Sequence, residues 1–436
     1  MKRFLHLDFK GLLPSKEKFK EYIKFFKQCG YDGLVLEYDC RIKWDCWPGT
    51  AREHFTKDDI RELLDYAGEL GLQTIPLMQS LGHLEWALAK EQYAYLREGE
   101  YIDEVCPLKP EAAEKIKSFV DEVLQLHPSE FLHIGADETW YLGSCPECKK
   151  AAENDPVRGR MGGYVDFISD ICRYVVAKGV RPMIWADMFW RDERVFLAES
   201  LPKETILVDW EYGKIQYLEQ LKNTGLEVWG ASALQCGSYE HWWRLQNPPG
   251  SRISNAERWN DSGLNVIHTT WGRPGSLWNL YSPWASLAPV FAAAGSSEKW
   301  QKNPVFDFVN ELTPAIFHNW PHELAQLEKT AATLPVESGE VWEQWRKWQV
   351  LALQFQRMEK SYQGIVYGKR CVKATRKFLD ADYPSYKKYY ITPVETLQNE
   401  LKQWEIDTRE FFRQYQWSDV EEFIAEKLSI FDFSDN

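Results

Sequence analysis

Short apolar runs alternate with longer amphipathic segments over about the first 295 residues of the chain. The runs have the composition of buried parallel strands, and the segments between them repeat apolar residues at helical spacing. The predicted strands are Phe4–Asp8, Gly33–Tyr38, Thr74–Met78, the run that begins at Phe131, Arg181–Trp185, Ile206–Trp210, Leu226–Gly230 and Asn265–Thr270. This succession of strand-then-helix units favours a (β/α)8 TIM barrel over an open doubly wound sheet. No strand is followed by the Gly-x-Gly-x-x-Gly of a dinucleotide fold.

The C-terminal third of the chain has a different pattern, without a clear strand. Long helical repeats rich in Glu, Lys, Gln and Trp cover Val341–Tyr367 and Pro393–Gln416. We therefore expect an α/β barrel domain over residues 1–297 and a helical C-terminal region over residues 298–436 that packs on the barrel. The alternative for this region is a helical scaffold whose surface binds partner proteins.

Charge and cysteine content indicate the cellular context. The net charge is -13, which would repel a phosphate backbone, and no polybasic segment offers attachment to an anionic membrane. His6 and Asp8 interrupt the first apolar stretch, which argues against a secretory signal. We interpret the nine cysteines as reduced thiols and expect a cytoplasmic protein that binds neither nucleic acid nor membranes. The oligomeric state stays open, with a homodimer as one outcome.

Acidic and aromatic residues follow the predicted strands at the end where TIM barrels carry their active sites. Asp137 and Glu138 come directly after the fourth strand. Four further strand ends carry a tryptophan, namely Trp185, Trp210, Trp229 and Trp271. One such tryptophan is usually core, and one Asp-Glu pair usually lies at a helix N-terminus, where the helix dipole stabilises it. On a common rim, however, they indicate an aromatic-walled pocket edged with acids, which suits a carbohydrate.

The motif around these acids resembles a known family. His133-Ile134-Gly135-Ala136-Asp137-Glu138 is similar to the His-x-Gly-x-Asp-Glu signature of family 20 glycoside hydrolases, the β-N-acetylhexosaminidases. The chain is most similar to the hexosaminidase D branch of that family. The similarity extends through Leu5–Gly11, Ile75–His83 and Thr269–Arg273 in the same order and spacing, so it covers the barrel but not the helical tail.

The resemblance implies an exo-acting enzyme that removes terminal β-linked GlcNAc or GalNAc with retention. In this family the acetamido oxygen of the substrate attacks the anomeric carbon and forms an oxazolinium ion. By motif, Glu138 is the general acid and then the base, and Asp137 orients the acetamido group. Neighbouring residues of a strand point to opposite faces, so both acids can serve one sugar only if the backbone leaves strand geometry after Gly135. We predict that it does.

The resemblance also assigns candidate substrate contacts. Trp185, Trp210 and Trp271 are similar to the tryptophans that surround the acetamido methyl and stack under the sugar ring, although barrel core is the alternative for each. Tyr212 is the candidate for the hydroxyl that binds the acetamido oxygen, and its alternative is a helix cap. His83 would bind one of the acids, or serve a structural role as most single histidines do.

Two positions depart from the family pattern. Many members have Asp-x-x-Arg after the first strand, whereas this chain has Asp8-Phe9-Lys10, and a lysine cannot form the bidentate contact of an arginine. Many members end the eighth strand with Trp-x-Glu, whereas this chain has Trp271-Gly272-Arg273. Asp8, Lys10 and Arg273 are still expected to face the sugar, but the choice between GlcNAc and GalNAc stays open.

A Cys-x-x-Cys pair, Cys145 and Cys148, follows the acids and suggests a zinc or redox site. No second pair has matching spacing, since five residues separate Cys40 from Cys46. We therefore prefer buried thiols and expect neither a metal nor a cofactor, because the reaction needs none. Two functional alternatives remain. One is a family 20 enzyme of other specificity, releasing disaccharides or acting on sulfated sugars, and the other is an inactive sugar-binding barrel.

Overall fold

Eight parallel strands form a closed barrel in the computed structural model, which describes residues 1–10, 13–236, 249–271, 392–417 and 419–433 and isolated positions between 347 and 366. The strands are β1 Arg3–Asp8, β2 Gly33–Glu37, β3 Gln73–Leu77, β4 Phe131–His133, β5 Arg181–Trp185, β6 Ile206–Asp209, β7 Glu227–Cys236 and β8 Val266–Trp271. Each strand pairs with its neighbour in sequence, and β1 closes the barrel by pairing with β8. The predicted (β/α)8 barrel is therefore confirmed.

Helices connect the strands on the outside of the barrel, and two more follow the last strand. The connecting helices are α1 Lys16–Gln28, α2 Lys57–Glu69, α3 Glu85–Leu88, α4 Pro110–Leu126, α5 Pro146–Asn154, α6 Met161–Ala177, α7 Asp187–Arg191, α8 Leu218–Lys222 and α9 Pro249–Asp261. The helices after the last strand are α10 Thr392–Gln414 and α11 Val420–Leu428. Side chains cap the starts of two helices, because Ser15 accepts a hydrogen bond from the Lys18 amide and Thr56 forms a capping box with Asp59. Short 3-10 helices cover Asp39–Arg41, Glu91–Leu96 and Val195–Ser200.

The long segment between β3 and α4 contains a small antiparallel hairpin. Its strands are Arg97–Glu98 and Tyr101–Val105. Glu104 Oε1 of this hairpin accepts a hydrogen bond of 2.9 Å from the Tyr141 amide, just beyond the two acids. The rings of Tyr101 and Tyr141 also stack, with their centroids 3.6 Å apart. The hairpin therefore supports the loop after β4.

The barrel interior is filled by side chains that alternate along the strands. The buried members of this inner core are Phe4, Val35, Ile75, Leu77, Met183, Trp185, Ile206, Val208, Trp229, Ala231 and Ile267. The prediction that Trp229 lies on the catalytic rim is wrong. Because β7 continues to Cys236, Trp229 lies near the start of its strand, where its ring packs 5.3 Å from that of Phe4 and 5.5 Å from that of Phe131.

The described part of the C-terminal region is helical, and it contacts the barrel domain beside the start of α1. The Ser15 amide donates a hydrogen bond of 2.9 Å to the Gln416 carbonyl. The Arg41 guanidinium lies 2.6 Å from Asp419 Oδ2. The expected boundary between residues 297 and 298 lies outside the described residues.

Candidate active site

The loop that carries Asp137 and Glu138 leaves strand geometry at once. Strand β4 ends at His133, and φ is 67° at Gly135, 73° at Ala136 and 50° at Glu138. Positive φ is costly for residues other than glycine, so two strained positions lie within four residues. A Cβ atom at Gly135 would lie 2.0 Å from a side-chain oxygen of Gln79, which explains the glycine. The predicted departure from strand geometry is confirmed.

His133, the first residue of the motif, stabilises this turn rather than facing the acids. Its Nδ1 accepts a hydrogen bond of 3.1 Å from the Gly135 amide. Burial and the charge of His6 lower the pKa of His133 to about 3, so the ring stays neutral and keeps an acceptor. The Ala136 carbonyl in turn accepts a 2.9 Å hydrogen bond from the Tyr164 hydroxyl.

The two acids converge on one histidine. His83 Nδ1 lies 3.6 Å from Asp137 Oδ1, and His83 Nε2 lies 3.7 Å from Glu138 Oε2. Burial disfavours the charged ring, but the charge of Asp137 and the contact with Glu138 outweigh it and raise the pKa of His83 to about 10. Burial raises the pKa of Asp137, the charge of His83 opposes this, and the charge of Glu138 adds to it. Adjacent residues therefore present both carboxylates to one imidazolium.

A third acid, Asp187, lies after the end of β5 and supports Glu138. Its Oδ2 accepts a hydrogen bond of 3.1 Å from the Glu138 amide and lies 3.2 Å from Arg191 Nε. Burial and the charge of Asp137 raise the pKa of Asp187 to about 7. Arg191 Nη2 lies 3.3 Å from Glu138 Oε1, so one side chain pairs with both carboxylates. Sequence reasoning missed both residues, although Asp187 stands at a strand end and Arg191 lies one helical turn later.

Arg191 is enclosed by indole rings. Its guanidinium carbon lies 4.8 Å from the ring centroid of Trp140, 5.1 Å from that of Trp190 and 5.0 Å from that of Trp210. Cation–π attraction holds such a side chain in one orientation. The Trp140 side chain is nevertheless 56% exposed, so this face is open to solvent beside Glu138.

The predicted aromatic residues form a continuous group at the ends of β5, β6 and β8. Trp271 Nε1 donates a hydrogen bond of 2.7 Å to the Tyr212 hydroxyl, and the Tyr212 ring lies 5.0 Å from that of Trp210. The Trp271 ring also lies 5.6 Å from the fully buried Trp185. Trp210, Tyr212 and Trp271 are half-buried. We call Trp185, Trp210, Tyr212 and Trp271 the aromatic cluster.

Asp8 and Lys10 lie in a buried charged cluster at the ends of β1 and β2, beside Trp271 on the neighbouring β8. Lys10 Nζ lies 2.7 Å from Glu37 Oε1, 3.0 Å from Asp39 Oδ2 and 3.4 Å from Asp8 Oδ1. His6 Nε2 lies 3.0 Å from the other oxygen of Glu37. Only 8% of the Lys10 side chain is exposed, so its ammonium group is already surrounded by carboxylates. The remaining predicted contact, Arg273, lies outside the described residues.

Comparison with known proteins places this chain in a family. Residues 29–263, more than half of the chain, match the catalytic domain of glycosyl hydrolase family 20. Human hexosaminidase D is 29% identical over 319 residues, which cover 66% of this chain and 63% of that protein. Bovine hexosaminidase D is 27% identical over 249 residues, covering 53% of this chain and 71% of that protein. The chain thus spans slightly less than two thirds of the human relative.

Solved structures agree in fold. A β-N-acetylhexosaminidase from Bacteroides fragilis superposes with a TM-score of 0.54 at 17% identity, covering 67% of this chain and 65% of that chain. An exo β-N-acetylglucosaminidase from Vibrio harveyi, solved with N-acetylglucosamine, superposes with a TM-score of 0.53 at 18% identity. The match covers 71% of this chain and 56% of that chain.

The closed eight-stranded barrel and the match to this catalytic domain together place the protein among the glycoside hydrolases. The chain belongs to glycosyl hydrolase family 20, the β-N-acetylhexosaminidase family. Within the described residues, no helix combines the length and apolar character needed to cross a membrane.

Proposed function

We propose that this protein is an exo-β-N-acetylhexosaminidase that removes terminal β-linked GlcNAc or GalNAc with net retention. The observation that carries the proposal is the convergence of Asp137 and Glu138 on His83, at 3.6 and 3.7 Å. Two carboxylates from adjacent residues are too close in the chain to flank a sugar from opposite sides, as an ordinary pair would. They suit a reaction in which the substrate supplies its own nucleophile.

In the first step, Glu138 donates a proton to the glycosidic oxygen while the acetamido oxygen attacks the anomeric carbon. The bond to the leaving group breaks, and Asp137 accepts the hydrogen bond of the acetamido N–H and stabilises the oxazolinium ion. In the second step, Glu138 takes a proton from water, which attacks the anomeric carbon and regenerates the acetamide. Each step inverts the configuration at the anomeric carbon, so the product retains the configuration of the substrate.

The surrounding residues support these roles. His83 and Arg191 flank Glu138 and stabilise the carboxylate that remains after proton transfer. Asp187 holds the Glu138 amide, which fixes the loop. The half-buried Trp210 and Trp271 offer rings for the acetamido methyl and the sugar face, with Trp185 packed behind Trp271, and Tyr212 offers a hydroxyl for the acetamido oxygen. Asp8, Lys10 and Arg273 are proposed to govern recognition of the sugar hydroxyls.

A rate comparison of nitrophenyl β-GlcNAc, β-GalNAc and β-glucose tests the mechanism. Glucose lacks the acetamide, so we expect its glycoside to react at least about a thousandfold more slowly, since an internal nucleophile contributes a large effective concentration. Comparable turnover of the glucoside would overturn substrate assistance. Turnover of a nitrophenyl disaccharide, with none of the monosaccharides, would instead support the disaccharide-releasing alternative. Binding of GlcNAc without turnover of any glycoside would support an inactive sugar-binding barrel.

We also propose a cytoplasmic location, on the ground of cysteine chemistry. Seven described cysteines are free thiols: Cys29, Cys40, Cys46, Cys106, Cys145, Cys148 and Cys172. Unpaired cysteines are typical of reducing compartments. Cell fractionation with a reductant-free alkylation step tests this, and recovery in an oxidising compartment would contradict it.

A further inference from the structure

Three cysteines and one glutamate come together beside the loop of the two acids, from separate parts of the chain. Cys145 and Cys148 lie at the start of α5, Cys106 follows the hairpin, and Glu98 belongs to the hairpin. All four residues are buried, and one donor atom of each lies within 4.8 Å of the others. We call Glu98, Cys106, Cys145 and Cys148 the cysteine cluster.

The spacing of the donor atoms matches the edges of a small tetrahedron. Cys106 Sγ lies 3.5 Å from Cys148 Sγ and 3.8 Å from Cys145 Sγ, and Cys148 Sγ lies 3.3 Å from Glu98 Oε2. Zinc bonds of about 2.3 Å to sulfur and about 2.1 Å to oxygen give tetrahedral edges of about 3.8 Å and about 3.6 Å. A disulfide needs sulfur atoms about 2.05 Å apart and would leave one of three cysteines over.

Backbone hydrogen bonds orient these donors. The Cys148 amide donates to Cys145 Sγ at 3.4 Å, across the Cys-x-x-Cys turn that begins α5. The Cys145 amide donates to Glu98 Oε1 at 2.8 Å, and Oε2 of the same carboxylate is left facing the sulfur of Cys148. Outer hydrogen bonds of this kind position ligands in metal sites.

The charge of the cluster also needs an explanation. Glu98 is completely buried, and in the part of the chain that the structure describes no lysine or arginine forms an ion pair with it. A buried carboxylate without a cation is costly. With a divalent cation, three thiolates and one carboxylate carry the same net charge as the familiar four-cysteine zinc site.

We propose that Glu98, Cys106, Cys145 and Cys148 bind a structural zinc ion. Binding releases the three thiol protons to solvent, and four protein ligands leave no open position for catalysis. The ion fastens the hairpin to the start of α5, so it anchors the C-terminal end of the segment that follows Glu138. The sequence offered only the Cys-x-x-Cys pair, and the fold adds the other two ligands.

Metal analysis of the full-length protein tests the site. Protein produced in zinc-supplemented medium and purified without chelator is expected to contain about one zinc per chain. Alkylation of the native protein should spare Cys106, Cys145 and Cys148, and removal of zinc with a strong chelator should expose all three to the reagent. Less than roughly a tenth of a zinc per chain would overturn the proposal.

Two buried cysteines provide a matched pair of variants. Cys148→Ser should reduce the zinc content to below roughly a tenth of the wild-type value, because a hydroxyl is a poor substitute for a thiolate ligand. Cys172→Ser alters a thiol that is equally buried but lies in α6, and it should keep its zinc. Full zinc content in Cys148→Ser would contradict the proposal.

Cobalt substitution tests the proposed metal site even if the Cys148→Ser variant does not fold. Wild-type protein produced in cobalt medium should show intense thiolate-to-cobalt absorption together with the visible bands of a tetrahedral ion. Glu98→Gln, which keeps the three sulfurs, should retain the charge-transfer bands and shift the visible ones. Cobalt-loaded wild type without thiolate bands would overturn the site.

Discussion

The two sides of the barrel rim differ in chemistry. At the ends of β1 and β2, Lys10 lies among buried carboxylates within 3.4 Å, and the charged groups satisfy one another. At the ends of β6 and β8, Trp210 and Trp271 are half-buried rings that leave surface for a ligand. Asp137 and Glu138 lie between them at the end of β4. We infer from this difference that the charged side maintains the geometry and the electrostatic field of the site, whereas the aromatic side contacts the sugar.

The largest effect is expected between the two sides, at Glu138. Glu138→Gln removes the proton that the leaving group needs and the base that activates water. We expect kcat for nitrophenyl β-GlcNAc to fall about a thousandfold with little change in stability. Steady-state kinetics and a thermal melt measure both. Glu147→Gln, at an exposed glutamate of α5, is the control and should keep wild-type turnover. Unchanged turnover in Glu138→Gln would remove the basis of the proposed reaction.

Lys10→Met tests the structural role of the charged side. The change leaves Asp8, Glu37 and Asp39 buried without their common cation, which should cost about 3 kcal/mol of unfolding free energy at neutral pH. Burial raises the pKa of Asp8 and of Asp39, so both accept protons readily in the folded state. The cost should therefore shrink as the pH falls, because protonation removes the uncompensated charge.

Urea unfolding at pH 5 and pH 8 measures the Lys10 effect, with Lys149→Met at an exposed lysine as the control. A variant that keeps its stability but shows a raised KM for β-GlcNAc would mean that Lys10 contacts the sugar. The inference that the charged side of the rim only maintains geometry, while the aromatic side contacts the sugar, would then be wrong.

Tyr212→Phe tests the aromatic side. The change removes the acceptor of the Trp271 Nε1 hydrogen bond and, under the proposed mechanism, the contact with the acetamido oxygen. We expect kcat/KM for β-GlcNAc to fall about tenfold, while a single lost hydrogen bond costs only about 1 kcal/mol of stability. Tyr217→Phe, whose ring stacks on Trp190 at 5.2 Å, serves as the neighbouring control. Equal losses in both variants would argue against a specific role for Tyr212.

Sequence patterns predicted the barrel well because buried strands produce local apolar runs. Arg181–Trp185 has the predicted bounds, whereas β7 extends six residues past the predicted end at Gly230. The extension is Ala-Ser-Ala-Leu-Gln-Cys, which contains too few large apolar residues to read as a strand. Tertiary pairing with β8 determines it instead.

The site was predictable where its residues lie in motifs at the strand ends, as Asp137, Glu138 and His83 do. Asp137 and Glu138 were found because the chain carries them side by side. Arg191 was missed because its contact with Glu138 joins the ends of two strands, 53 residues apart in sequence. Cys106 likewise reaches Cys148 across 42 residues. Pairing over such distances depends on the fold, and no local pattern reports it.

The smallest expected effect concerns Asp209, at the end of β6 on the aromatic side. Burial and the charge of Glu211 raise the pKa of Asp209 to about 8. Above about pH 4 the unfolded chain carries this charge freely, whereas the folded protein must protonate the group or bury it charged. Asp209 therefore lowers the free energy of unfolding progressively as the pH rises from about 4 to about 8. Asp209→Asn removes the titration, so the variant should gain stability relative to wild type as the pH rises.

Melting curves at pH 5 and pH 9 measure this gain, which we expect to be about 2 °C larger in Tm at pH 9 than at pH 5. Asp261→Asn, at an exposed aspartate that ends α9, should show no such pH dependence. A uniform shift at both pH values would mean that Asp209 contributes by packing rather than by charge. The aromatic side would then tolerate a buried carboxylate as the charged side does, and the two sides would differ in exposure alone.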